Sequence, residues 1–548
     1  MKKALSLPLL VLLALMVAFP VITIFARSIL SDGKLDLARP LGIILKSENI
    51  ETILNSLKLG LYVVITSTIL AYPLAYLLAK TNFGLHSWLS IVLLIPFMTP
   101  PYIASMGWIL FMQRRGLLEQ LIPKASILEP VFFSFGGIVL VMSLHVFPFM
   151  LNFIRNAMVR IPSNLEEAGS MLGAGKTYRT RKIVLPLLAS GYALGALLVF
   201  VKTLSEYGTP ATLGLRIGMK FFTTQIHRKA TYVPVDFASA ASLSSLLVGI
   251  CLMLWLIQDT VTKRTSYATI GTKGSQIKLR SLGKIGTLVG WMYILLILLV
   301  SIGIPYFSIL TTSLIKLRGY GLQAGNFTLD HYRELFLDNR EAVQALRTSL
   351  GLSFASATIA SLLGTIIAIS TYKEKGIISK GINTLGLFPE MIPNIVLVIG
   401  LMIFWNILSR WIPLYNTLGI LILAYVIMFL PYTIQYVNGC LTQMNDHLLQ
   451  AGRVFGASPF YVMKRIVLPL VARGSLTGWI MTFIICFREL VASSLLVPVG
   501  RSTVSTYILR EFDQGSVSLG MCMAVICVLC TTSILLILER ITRKGQQK

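Results

Sequence analysis

Long apolar runs constrain this chain more than any other feature of its sequence. Stretches of about 18 or more residues with almost no charge recur along it, and each is long enough to cross a lipid bilayer as a helix. Only 13% of the 548 residues are charged, about half the share of a soluble protein. Inside a bilayer the backbone must bond to itself, so only helices or a closed barrel can span it. The runs are continuous rather than alternating, which predicts an all-α polytopic membrane protein.

Counting about 20 residues per span predicts twelve transmembrane helices in two sets of six. The first set is expected near residues 5–28, 55–78, 87–112, 131–155, 188–206 and 235–258, and the second near 285–314, 347–371, 383–408, 416–440, 471–488 and 518–538. A basic connector at 259–284 separates them. The sequence thus predicts one half at 1–258 and another at 285–548.

An internal repeat relates the two halves. Leu165–Leu187 matches Leu448–Leu470 at a spacing of 283 residues, whereas the prolines near residues 96 and 389 match at 293. The first half therefore carries about ten extra residues, which we place in the loop around Arg114–Glu129. Each half has an even number of spans, so both have the same orientation, as in parallel transporter repeats.

The basic residues predict that both chain termini are cytoplasmic. Lys2 and Lys3 precede the first apolar run, and that run is longer than the core of a signal peptide, so it is expected to remain as a helix. With this orientation the connector, the repeated segments and the basic C-terminus all face the cytoplasm. The net charge of +26 is therefore a property of membrane loops, and no nucleic-acid partner is expected.

The repeated segment is expected to be a small helix–turn–helix on the cytoplasmic face. Asn164 and the acids after it mark a helix start, and Gly173-Ala174 marks its end. Leu165, Ala168 and Leu172 fall on one helical face, as Leu448, Ala451 and Phe455 do in the second copy. Such an apolar stripe with a small-residue elbow is suited to docking in a groove of a partner.

These segments resemble the EAA loops of binding-protein-dependent ABC importer permeases. The likeness rests on Glu167-Ala168-Gly169, on Gly173 six residues after Glu167, and on the Ile-Val-Leu-Pro-Leu run that ends at Leu187. The loops fall at 160–187 and 443–470. The resemblance assigns ATPase docking to the following residues: Glu167, Ala168, Gly169, Gly173, Ala174, Gln450, Ala451, Gly452, Gly456 and Ala457.

The resemblance implies two fused, six-helix halves of the type I importer (MetI-like) fold in a bacterial inner membrane. Two copies of a cytoplasmic ABC ATPase and an extracytoplasmic substrate-binding protein would be its partners. Gln450 departs from the pattern, because the first copy has Glu167 at that position. We therefore expect the two ATPase subunits to be held unequally.

The chain itself is expected to bind no cofactor and to be no enzyme. Gly173–Thr177 looks like the end of a phosphate-binding loop, but Ser170 stands where that motif needs glycine. A helix rather than a strand precedes it, and the second copy has no lysine. ATP would then be used by the partner subunit.

Two acids end corresponding spans, Glu206 in the first half and Glu489 in the second. Acids at membrane depth are costly and usually face a cavity or a partner. One interpretation is that each caps or pairs locally; the other is that both line the translocation path. Pro96 and Pro389 are expected to kink the third span of each half and so to contribute to a gate.

Among fused permeases, the chain is most similar to the ferric iron (iron(III)) transport family, judged by Glu206–Pro210. Thiamine, phosphonate and polyamine permeases remain alternatives for the substrate. Metal-binding residues cannot be assigned from the sequence. The competing class, an ion-coupled secondary transporter, would require paired charges within the spans and would have no docking segment.

Overall fold

The computed structural model describes residues 2–31, 33–161, 163–265, 279–374, 376–444, 447, 450 and 454–546. Within these residues, ten helices are long and apolar enough to cross a membrane, and two helix pairs are each bent at a short break. Each bent pair counted as one span gives twelve, which confirms the prediction. Of the connector predicted at 259–284, residues 266–278 lie outside the described residues.

The spans are labelled α1–α12 in chain order. They are α1 Ser6–Ile29, α2 Ser47–Lys80, α3 Trp88–Met98 with Pro101–Met112, α4 Phe135–Arg160, α5 Thr177–Ser205, α6 Phe237–Val261, α7 Lys284–Leu314, α8 Arg340–Thr371, α9 Ile377–Met391 with Asn394–Arg410, α10 Leu418–Gln443, α11 Phe460–Phe487 and α12 Val517–Leu535.

Short elements occupy the connections between the spans. They are the antiparallel strands β1 Leu30–Ser31 and β2 Lys34–Leu35 and the helical segments Ala38–Ile44, Asn82–Leu85, Leu117–Leu121, Pro123–Leu128, Glu129–Phe132, Ser163–Met171, Pro210–Gly214, Phe222–Thr231, Arg318–Tyr320, Asp330–Arg333, Glu334–Asp338, Val491–Leu496 and Val504–Asp513.

The predicted starts that differ most from the structure are those of α5 and α11. The apolar runs predicted starts at 188 and 471, but the helices begin at Thr177 and Phe460. In both, a π-helical turn carries the helix through the basic residues and into the Leu-Pro-Leu stretch. Proline has no backbone N–H, and the wider turn lets the helix continue past it without that bond.

The chain forms two compact units that do not follow its order. The first unit comprises Leu45–Gln225 and Gly249–Phe327, and the second comprises Met1–Ile44, Ile226–Val248 and Thr328–Lys548. Three helices pack together in the first unit, α2, α4 and α5, and their repeat counterparts α8, α10 and α11 do so in the second. Each unit also contains the opening span of the other half of the sequence.

In the first unit, α7 crosses the second leg of α3 at a glycine. A Cβ on Gly107 would lie 2.7 Å from the carbonyl oxygen and 2.8 Å from the Cα of Pro305, so only glycine allows this approach. In the second unit, α1 crosses α9 at the matching Gly400, where a Cβ would lie 2.7 Å from the carbonyl oxygen of Pro20. Each unit therefore has a close helix crossing of the same kind, with a glycine against a proline backbone.

Each unit has a face that carries its repeated segment. In the first unit, Lys80 Nζ donates to the Ile161 carbonyl at 3.3 Å, which places the end of α2 beside the start of the segment. In the second unit, Ile367 near the end of α8 shares a core cluster with Leu441 and Val467, which flank the segment. The beginnings of α2, α4 and α8 therefore lie at the opposite face.

We predict that Gly107→Ala and Gly400→Ala each destabilise the protein. A methyl group at either site would press on backbone atoms, and overpacking of this kind costs about 1–3 kcal/mol. Thermal unfolding of the purified protein in detergent measures the loss as a lower midpoint.

Gly351→Ala is the matched control, because Gly351 lies in α8 with open space around its Cα. Alanine in a helix with room for it should leave stability equal or slightly higher. Equal midpoints for all three variants would mean that the glycine crossings are not close-packed.

Candidate functional site

The first repeated segment ends its helix with a Schellman motif. The helix runs from Ser163 to Met171, and Gly173 follows in the left-handed region at φ +78°. Ala174 N donates to the Gly169 carbonyl at 2.9 Å, and Gly173 N donates to the Ser170 carbonyl at 3.1 Å. These are the two bonds that define the motif, and glycine is the residue that adopts its positive φ without strain.

Gly169 lies close to the second helix of the segment. A Cβ on Gly169 would lie 3.2 Å from Ile183 Cδ1 and 3.3 Å from Arg179 Cγ, both at the start of α5. A Cβ at this position would require these side chains to shift by a few tenths of an ångström. The helix–turn–helix predicted from the sequence is therefore present, and its two glycines have different physical roles.

The tip of the segment exposes two large apolar side chains outside the spans. Met171 is 89% exposed and Leu172 is 88% exposed; the matching Val454 and Phe455 are 83% and 88% exposed. Exposed apolar side chains are expected on helices that cross a membrane, but these four lie outside the spans. Adjacent exposed apolar residues at matching positions of the two segments make them candidates for contact with a partner.

The second segment also has a glycine with positive φ at the matching position. Gly456 has φ +71°, matching Gly173. Ser458 then begins the next helix, since its Oγ accepts a hydrogen bond from Tyr461 N at 3.2 Å. The predicted docking residues Ala451 and Gly452 lie outside the described residues. Gln450 is described and exposed.

In the first segment the other predicted residues are accessible. Glu167 and Ala168 are exposed, and Ala174 is half-buried in the turn. Of the predicted apolar stripe, Leu165 and Leu172 are both exposed. Met171 was missed, although its repeat partner Val454 is also apolar and the repeat could have indicated it.

Glu206 caps the segment that follows α5. Its carboxylate accepts hydrogen bonds from Gly208 N at 2.6 Å and from Thr209 N at 3.0 Å. Its carbonyl accepts a hydrogen bond from Thr223 Oγ1 at 2.8 Å. A cavity of about 10 Å³ lies beside it, room for about one water molecule. We name residues 206–214 the first capped segment.

Glu489 repeats this arrangement after α11. Its carboxylate accepts from Val491 N at 2.7 Å, from Ala492 N at 2.9 Å and from Ser493 N at 3.2 Å. Its carbonyl accepts from the hydroxyl of Ser505. Glu489 is only 7% exposed. Residues 489–496 form the second capped segment, and both acids bond to the backbone two and three positions ahead.

Two buried serines hold the helices that follow the capped segments. Ser56 Oγ in α2 accepts from Phe222 N at 2.8 Å, and Ser349 Oγ in α8 accepts from Val504 N at 2.8 Å. Each bond satisfies the first N–H of a helix from another part of the chain. The repeat aligns these serines, but the sequence does not indicate what they bond to.

The predicted proline kinks are present as sharp breaks. The two legs of α3 meet at 86° and those of α9 at 114°. Pro96 and Pro389 are both buried beside these breaks. His145 Nδ1 lies 3.0 Å from the Pro96 carbonyl, and Thr99 Oγ1 lies 2.7 Å from Tyr306 Oη, so polar groups at the first break are bonded.

The capped segments pack against these bent spans. In the first unit, Thr212 Oγ1 donates to Ser105 Oγ of α3 at 2.8 Å, and a Cβ on Gly208 would lie 2.9 Å from Tyr102 Cβ. In the second unit, Val491–Leu496 packs on the second leg of α9. Among the described residues, no group of three or more His, Cys, Asp or Glu side chains converges as a metal site.

Comparison with known proteins identifies the family. The family described as "Binding-protein-dependent transport system inner membrane component" matches residues 67–309 and 360–545, one match in each half. Its members are transporter components rather than catalytic enzymes, and they act with an ATPase and a substrate-binding protein.

Individual relatives are similar over long stretches. The Fe(3+)-transport system permease protein FbpB 2 of Haemophilus influenzae is 23% identical over 504 residues, covering 90% of this chain and 91% of the relative. The ferric transport system permease protein FbpB of Actinobacillus pleuropneumoniae is 23% identical over 549 residues, covering 97% and 77%. The spermidine/putrescine transport system permease protein PotC of Haemophilus influenzae is 26% identical over 242 residues, covering 44% and 92%.

The family match covers most of the chain, repeats in both halves, and agrees with the twelve spans and the paired loops. The chain therefore belongs to the binding-protein-dependent transport system inner membrane components, and it is a multi-pass permease of an ABC importer.

Proposed function

We propose that this permease carries ferric iron across the membrane and is driven by two ATPase subunits, one docked on each repeated segment. The observation that supports this most is the pairing of the segments. Each presents two exposed apolar residues immediately before a glycine with positive φ. One polypeptide would then serve both ATPase subunits, and ATP would bind to those subunits and not to this chain.

Glu167 and Gln450 make the two docking sites unequal. A carboxylate forms stronger, charge-assisted hydrogen bonds than an amide, about twice the strength of a neutral bond. We therefore infer that the segment at 160–187 holds its ATPase more tightly. The docking face is cytoplasmic in this proposal, with both chain termini on the same side, as the basic loops indicate.

The capped segments and the bent spans are proposed to line the translocation path. The capped segments are short helices that follow α5 and α11, and the bent spans are helices with a sharp break. Backbone that leaves a regular spanning helix is tolerated at membrane depth where it lines a cavity or is buried in protein. Glu206 and Glu489 would act here by holding the segments in place, since their carboxylates accept backbone N–H groups. Pro96 and Pro389 would set the bends of the gate.

Ferric iron is supported by two relatives whose names state iron transport and which match nearly the whole chain. Polyamine transport is the second candidate, because PotC matches at similar identity over 44% of the chain. The family identified here is not that of an ion-coupled secondary transporter, so that alternative is dropped.

We predict that Gly173→Val with Gly456→Val abolishes ATPase binding, whereas Gly173→Asn with Gly456→Asn retains it. Both glycines have positive φ, which asparagine tolerates and a β-branched residue does not; left-handed backbone costs an ordinary residue about 1–2 kcal/mol. Co-purification of the cognate ATPase, with uptake, measures the effect.

Gly175→Ser is the control within the same loop, because it reproduces Ser458 of the second segment and Gly175 has open space around it. A second arm uses Leu172→Asp with Phe455→Asp, which should reduce co-purification without lowering the unfolding midpoint. If the valine pair binds ATPase like the wild type, the docking assignment fails.

We predict that Glu489→Ala lowers uptake and that Glu489→Ser or Glu489→Asp largely restores it. Serine and aspartate both accept backbone hydrogen bonds at helix starts, and loss of such a cap costs about 0.5–2 kcal/mol. The same series at Glu206 should behave alike. Uptake and thermal unfolding are measured together.

The serine variant separates the two interpretations of these acids. It restores a hydrogen-bond acceptor but not a negative charge. If aspartate restores transport and serine does not, the charge itself acts on the substrate and the positioning role is wrong.

We predict that deleting the gene lowers uptake of radiolabelled ferric iron and leaves uptake of labelled spermidine unchanged. Complementation with the intact gene should restore iron uptake, and the Gly173→Val, Gly456→Val gene should not. Unchanged iron uptake with reduced spermidine uptake would replace ferric iron by polyamine as the substrate.

A further inference from the structure

The loops that follow α3 and α7 border a cavity of about 260 Å³ that is open to solvent, within the first unit. Three arginines line it, Arg114, Arg115 and Arg318, together with Gln113, Gln120 and Thr312. No acidic residue is among its described lining residues. The cavity lies at the end of α3 and before α4, and so at the face opposite the repeated segment.

The loop after α3 is held by its own side chains. Arg115 adopts φ +56°, and its backbone N–H donates to Glu119 Oε2 at 2.6 Å. Gln120 Nε2 donates to the Arg115 carbonyl at 3.0 Å, and Gln120 Oε1 accepts from Leu322 N at 2.9 Å. Gln120 therefore ties this loop to the loop after α7.

The loop after α7 is held by a buried asparagine. Asn326 is 7% exposed, and its side chain bonds to the N–H and the carbonyl of Leu317 at 2.9 and 2.8 Å and to the Gly321 carbonyl at 2.8 Å. Arg318 lies within the turn that these bonds close. Both walls of the cavity are therefore ordered by bonds that leave the arginine side chains available.

The charges around the cavity are unbalanced. Partial burial and the charge of Arg216 both lower the pKa of the Arg318 guanidinium. The nearby carboxylate of Glu119 accepts a backbone N–H of the loop. Gathering like charges costs free energy, and an anion in the cavity would offset that cost.

The cavity belongs to the extra residues of the first half. The repeat predicts an insertion around Arg114–Glu129, and the structure places the arginine-bearing turn at its start. The corresponding connection of the second half, between α9 and α10, is the much shorter 411–417. The repeated scaffold therefore does not require this cavity.

We propose that this cavity binds a small multivalent oxyanion, either phosphate or a di- or tricarboxylate. A guanidinium group pairs with two oxygens of such an anion at once, and three arginines line this cavity. The volume is below the roughly 300–1,000 Å³ of pockets for drug-sized ligands, which favours a small occupant. The anion would join the two loops. The anion would enter from the extracytoplasmic side, and this statement rests on the proposed orientation of the chain.

The test titrates inorganic phosphate and citrate into the full-length permease in nanodiscs of zwitterionic lipid. Ionic strength is held constant with chloride, because salt alone screens the arginines. We expect a saturable rise of the unfolding midpoint for at least one anion, as for any ligand that binds only the folded state. Arg318→Gln should weaken the apparent affinity about tenfold or more, the usual value of one charge-assisted hydrogen bond.

Lys124→Gln is the matched control, since it removes one exposed charge from the same insertion without touching the cavity. It should titrate like the wild type. The proposal is overturned if neither anion raises the midpoint, or if the Arg114→Gln, Arg318→Gln double variant responds like the wild type.

Nanodiscs with phosphatidylglycerol distinguish a free anion from a lipid headgroup. If this lipid abolishes the response to added anion, the headgroup phosphate occupies the site; if the response persists, the occupant comes from solution. Either result keeps the oxyanion site. The measurement uses no iron and no ATPase, so failure of the proposed function would leave its outcome unchanged.

Discussion

A helix that breaks inside a membrane leaves backbone N–H and C=O groups that lipid cannot satisfy. The structure meets this constraint with particular side chains where the helices α5 and α11 end. Glu206 and Glu489 accept the N–H groups that start the capped segments, and Ser56 and Ser349 accept those of the helices that follow. Without these acceptors each of these N–H groups, if buried and unbonded, would cost about 1–3 kcal/mol of stability. The capped segments and the helices that follow them depend on these acceptors.

The same constraint acts differently outside the membrane. Each repeated segment has a glycine of positive φ, and in the first segment the N–H groups of Gly173 and Ala174 return to the helix carbonyls. The turn is thus complete by itself and leaves Met171 and Leu172 pointing outward. A self-sufficient turn can present an apolar surface to a partner without losing its shape.

Much of the fold and of the candidate site could be predicted from the sequence, and the incorrect predictions have physical causes. Apolar runs gave the number of spans, and matched prolines gave the breaks of α3 and α9, because both are local properties. The starts of α5 and α11 were misplaced, since a π-helical turn extends a helix through polar residues that hydropathy excludes. Ser56 and Ser349 were aligned by the repeat, but their bonding partners lie more than 150 residues away in the chain.

The sequence by itself determined the membrane class, the two homologous halves and the glycine elbow of each repeated segment, because periodicity, length and backbone freedom are local. Only the tertiary structure decided that α1 joins the unit of the second half and α7 that of the first, through glycine crossings at Gly107 and Gly400. It also decided that Glu206 and Glu489 bond to backbone N–H groups. A carboxylate in an apolar sequence needs a partner, and only the folded chain shows which partner it has.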